Sequence, residues 1–155
     1  MDKVLAIVKR KPPLFLFLSL GYLFVVGLIK WQIHPPIGAL WFLVGGAIGV
    51  YLLDGAEVFF ALSPSPFRSI VFVAAFALVS LFVLTSSGSL LAQGLVFSLY
   101  LTLILWQAGQ WQMSGNLNDW YRMVATPASP TTQRWGLILF AVLFFVETFL
   151  FLAWA

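Results

Sequence analysis

From Ser69 to Asn118 not one residue carries a charge. In a soluble domain about a quarter of the residues are charged, so a stretch of this length has no ordinary place on a wetted surface. With the apolar runs on either side of it, the stretch predicts an all-α polytopic bundle of transmembrane helices. The whole 155-residue chain is 62% hydrophobic and 8% charged, with a mean hydropathy of +1.02, so lipid must cover what water cannot. A soluble globule is excluded.

A spanning helix needs about 20 predominantly apolar residues. Five runs meet or approach that length, at about 14–30, 37–62, 69–85, 89–107 and 135–155, within one membrane domain covering 1–155. The runs are continuous, without the two-residue alternation of a barrel wall. Their ends carry helix punctuation: Lys11-Pro12-Pro13 and His34-Pro35-Pro36 precede the first two, and Ser65-Pro66 and Ser129-Pro130 each offer an N-cap followed by proline. Ser86-Ser87-Gly88-Ser89 reads as a tight turn between the third and fourth. The first run follows Lys9-Arg10-Lys11 as a signal peptide would, but it lacks a small-x-small cleavage site and reads as a retained span.

Orientation follows from the basic residues. With the N-terminus in the cytoplasm, Lys3, Lys9, Arg10, Lys11, Arg68, Arg122 and Arg134 fall on the cytoplasmic side and only Lys30 opposite. Seven against one predicts five spans, N-in and C-out. These charges mark span ends and form no basic patch, so a nucleic-acid partner is not implied. Small size, short loops and the charge bias point to a bacterial inner (plasma) membrane.

Between the last two spans, Leu117, Trp120, Tyr121 and Val124 recur at helical spacing. This predicts a short amphipathic helix at about 116–125, capped by Asn116 and lying on the cytoplasmic interface with its aromatic face in the lipid. Docking of a partner or a gating element is the alternative use of that face.

The acids at Asp54, Glu57 and Glu147 sit where acids are expensive, about 2.5–3.5 kcal/mol each at a bilayer centre. Asp54 and Glu57 are three apart and share a helix face. They fall about 7 Å and about 11 Å to the cytoplasmic side of the second span's midpoint. A proton- or cation-binding cluster with Glu147 is one reading. The other is structural, with Asp54 and Glu57 marking the interface and Glu147 a hydrogen-bonded carboxylic acid joining two helices. Gln93, Ser98, Tyr100, Thr102 and Ser80 are its candidate partners. Gly45-x-x-x-Gly49 in the second span has the small-residue spacing that lets helices approach closely.

Zero cysteines exclude disulfides and thiolate chemistry. His34, the only histidine, is expected in an outer loop about 30 Å from Asp54, too far for a shared metal site. No phosphate-binding loop, nucleophile elbow or cofactor motif is present. The residues point away from an enzyme, toward a non-enzymatic interaction or assembly subunit that needs no cofactor and pairs with itself or another membrane protein. Two alternatives stay open. One is a small oligomeric proton or cation channel or carrier using the intramembrane acids. The other is a membrane-embedded, lipid-acting metalloenzyme using the acids of the second span.

Overall fold

A computed structural model describes residues 13–31, 37–60, 69–86, 89–121 and 129–153. The expectations for His34, Ser65-Pro66, Ser87-Gly88 and the basic residues other than Lys30 and Arg134 fall outside these. The described residues form α1 (Pro13–Trp31), α2 (Ala39–Phe59), α3 (Ile70–Ser86), α4 (Leu90–Ser114), a 3-10 turn at Asn118–Tyr121, and α5 (Pro130–Ala153), with no strand among them. The helices α2, α4 and α5 are long and apolar enough to cross a membrane; α1 and α3 are shorter apolar helices.

Local chemistry sets the helix starts. Ser69, Ser89 and Ser129 each accept a hydrogen bond from the backbone N–H three residues on, the N-cap geometry that satisfies an orphan donor. The end of α4 lies well beyond the expected 107. Glutamines interrupt the apolar pattern after Trp106 without breaking the helix, which stops only at Gly115. There φ reaches +70° and the Gly115 N–H bonds the Trp111 carbonyl at 2.7 Å.

Five consecutive residues of α4, Val96 to Tyr100, are all buried, so protein encloses this helix on every side. Around it the neighbours alternate in direction. Leu23 of α1 meets Gly46 while Trp31 meets Phe42, so α1 and α2 are antiparallel. Phe42 faces Gly94 and Gly49 faces Ser98, so α2 and α4 run parallel. Tyr100 stacks on Phe140 while Phe97 meets Phe151, so α4 and α5 are antiparallel. Phe76 lies against Tyr100, and one turn later Ser80 meets Glu147, which aligns α3 with α5.

The centre is an aromatic cluster built from all five helices. Phe42 stacks on Phe151 with centroids 5.5 Å apart, Tyr100 on Phe140 at 4.1 Å, and Phe97 meets Phe144 edge-on at 6.1 Å. Between lipid-embedded helices burial from water is not the driving force; such packing is. Each aromatic pair adds about 0.5–1.5 kcal/mol.

The segment expected as an interfacial helix is different in form. Among the described residues it is a four-residue 3-10 turn, and Leu117 and Trp120 are buried inside the protein. The Leu117 N–H donates to Gln133 Oε1 at 2.7 Å, which ties the segment to the start of α5. Residues 122–125 of the expected helix lie outside the described set.

Candidate functional site

The three acids are all buried, with 2%, 4% and 3% exposure for Asp54, Glu57 and Glu147. They occupy two separate levels. Phe151 stacks on Phe42, and Glu147 lies one turn before Phe151 in a helix antiparallel to α2, which places it near the level of Gly46. Asp54 is two turns further along α2, roughly 12 Å along the axis. Among the described residues no three histidine, cysteine or acidic side chains group so as to hold a metal. The metalloenzyme reading therefore draws no support from ligand grouping.

At the middle level α3 and α5 are clasped. Ser80 Oγ lies 2.9 and 3.0 Å from the two Glu147 carboxyl oxygens and 2.9 Å from the Ala77 carbonyl. A hydroxyl has one proton for these three acceptors. The serine proton serves the Glu147 carboxyl, or it serves the Ala77 carbonyl while a protonated carboxyl donates to Ser80 Oγ, and either way the pair joins α3 to α5. Of the partners considered from sequence, Ser80 supplies the bond. Tyr100 instead donates to the Phe140 carbonyl at 2.6 Å. Two more ties hold α1 to α5. Thr148 Oγ1 donates to its own helix at Phe144, so the Tyr22 hydroxyl, 2.6 Å away, donates to Thr148. Lys30 Nζ donates to the Phe151 carbonyl at 2.5 Å and sits 4.2 Å over that residue's ring.

Asp54 and Glu57 lie near the C-terminal end of α2, the end that also receives the start of α3, the end of α4 and the start of α5. Buried Ser69, Gln107 and Gln133 share it. This is the polar end of the bundle. Burial pushes the Tyr121 phenol there above its ordinary range, and its hydroxyl packs against Gly136.

Gly45 and Gly49 line the α2–α4 seam. A Cβ on Gly45 would come within 2.1 Å of the Leu91 carbonyl oxygen, and one on Gly49 within 2.7 Å of Ser98 Cβ. Sequence reasoning missed the other half of the seam: a Cβ on Gly94 would meet the Phe42 carbonyl oxygen at 1.9 Å. The signal was legible as Gly94, Ser98 and Thr102, a stripe of small residues one turn apart.

On the outer surface an open apolar groove of ≈ 950 Å³ runs between α1 and α2, beside Leu16, Ile48, Tyr51, Leu52 and Phe59. A second hollow of ≈ 470 Å³, beside Phe17, Phe24 and Leu43, shares Ala47 with it. Compared with protein families, curated proteins and solved structures, the chain matches none. The class that fold and composition define is an all-helical bundle in which three of the described helices are long and apolar enough to cross a membrane.

Proposed function

We propose that the protein is a non-enzymatic membrane subunit that crosses the bilayer five times, N-in and C-out, in a bacterial inner membrane. It assembles with another membrane protein or with a second copy of itself. The observation that carries this reading is the contrast between inside and outside. The bundle centre is filled by interlocked aromatic rings, whereas the α1–α2 groove is apolar, open and lined by small residues such as Gly21, Ala47 and Gly55, which admit close approach. Such a surface suits a helix and offers little to a polar substrate. A photocrosslinking residue at Ile48 or Tyr51 is expected to capture a protein in native membranes, and one at exposed Phe145 to capture lipid alone. Lipid adducts alone from all three positions would sink the assembly reading.

The channel or carrier reading keeps one supporting observation, the burial of acids and amides at the polar end. Cation or proton flux in proteoliposomes that is abolished by Asp54→Asn or Glu147→Gln supports it. Absence of flux removes it.

A further inference from the structure

Six of the serine and threonine hydroxyls within the helices divide into two groups. Ser80, Thr85 and Thr148 donate to carbonyls three or four residues back in their own helices, the usual recourse of a hydroxyl in an apolar setting. Ser19, Ser98 and Thr102 do not. Their exposures are 2%, 1% and 1%, and their oxygens find no hydrogen-bond partner among the described residues.

Helix register places these three hydroxyls within about one turn of one another along the junction of α1, α2 and α4. Leu23 Cδ1 and Ser98 Oγ both lie within 3.2 Å of the point that a Cβ on Gly46 would occupy. Ser19 is one turn before Leu23 in a helix antiparallel to α2. Thr102 is one turn after Ser98 in a helix parallel to α2. Both steps lead toward the polar end, so Ser19 and Thr102 share the level of Val50, with Asp54 one turn beyond. Buried hydroxyls left unpaired are rare, and a bound water or ion is one reason for them.

We propose that this junction is an internal hydration site, in which water bridges Ser19, Ser98 and Thr102 within the membrane-embedded part of the bundle. The chemistry fits water: the three groups are neutral, each can donate and accept, and a buried water typically makes about three hydrogen bonds. The site places a polar foothold one turn from Asp54, inside an otherwise aromatic and aliphatic core. It stands apart from the assembly reading, since it concerns the interior and not the groove.

Water-edited solid-state NMR of the full chain in lipid bilayers tests the proposal directly. Magnetisation transfer from water to Ser98 and Thr102 is expected severalfold faster than to their buried neighbours Phe97 and Leu103. Transfer no faster than to those neighbours overturns it. Thermal midpoints provide the second arm. If water joins the hydroxyls, Ser19→Ala and Thr102→Val each lower the midpoint and the double variant departs from additivity. Both variants raising the midpoint, with additive effects, shows hydroxyls that are merely orphaned and overturns the proposal. A midpoint that rises when sodium replaces choline at constant ionic strength assigns the site to a cation and likewise overturns it.

Discussion

Glu147 carries the clearest argument at the scale of one residue. A carboxyl in the middle of a spanning helix needs a partner, and Ser80 is placed to be it. Ser80→Ala leaves the carboxyl without that partner and is expected to cost about 1–3 kcal/mol. Glu147→Gln keeps a donor for Ser80 Oγ and should cost less than about 1 kcal/mol, in line with the modest worth of hydrogen bonds between membrane helices. Removing both partners, in Ser80→Ala with Glu147→Leu, should be milder than Ser80→Ala alone. Denaturant titration in mixed micelles measures all three, and a double variant worse than Ser80→Ala refutes the clasp. Lys30 makes a second residue-scale case. Lys30→Met removes both the bond to the Phe151 carbonyl and the cation–π contact, for an expected loss of about 0.5–2 kcal/mol. Faster amide exchange confined to the last turn of α5 is the signature. The sequence showed that Glu147 needed a partner, yet five candidates were open, because sequence spacing says nothing about which helices are neighbours.

At the scale of elements, the seam between α2 and α4 is the most sensitive contact. Any side chain at Gly94 collides with the Phe42 carbonyl oxygen, and backbone cannot rotate aside as a side chain would. Gly94→Val is therefore expected to destabilise by at least the about 1–3 kcal/mol of ordinary overpacking. Gly21→Val meets open space and should have little effect on the midpoint, which makes it the control. Gly45-x-x-x-Gly49 is readable as a close-packing face, but that Gly94 and Ser98 of α4 are its mate shows only once α2 and α4 are known to be neighbours. The 116–125 segment shows the opposite limit. Its periodicity grouped Leu117 with Trp120, but periodicity cannot say what those side chains meet. The structure turns both into the protein, held by Gln133. In α5, likewise, Phe140, Phe144 and Phe151 point inward while Phe145 and Phe149 face out, a division the sequence run of phenylalanines left open. Gln133→Ala removes the acceptor of the Leu117 N–H and is expected to loosen the turn. Limited proteolysis between Ser114 and Tyr121 should then speed up while α4 itself stays protected.

The whole molecule turns on sidedness. Parallel α2 and α4 require α3 to return between them, and α1, α3 and α5 share the opposite direction, an order that five alternating crossings produce without a buried loop. The two short helices fit the same scheme. At about 1.5 Å per residue, α1 and α3 reach about 29 Å and about 26 Å, close to a hydrocarbon core of about 30 Å, and a small deficit is met by local thinning or by flanking polar residues. The polar end gathers Asp54, Glu57, Ser69, Gln107 and Gln133, and Arg134 near the start of α5 lies at that same end. In the N-in scheme this end faces the cytoplasm. The chain has no cysteine, so single cysteines report cleanly. Ile37→Cys and Ser89→Cys lie at one end of the bundle, both at exposed positions, and Ser114→Cys and Thr131→Cys at the other. A membrane-impermeant maleimide added outside intact cells is expected to label the first pair and to reach the second only after lysis. The reverse pattern inverts the orientation and keeps the five crossings. Labelling of one member of a pair without the other means that the helices between them do not cross as the alternating directions require, and the five-span arrangement fails.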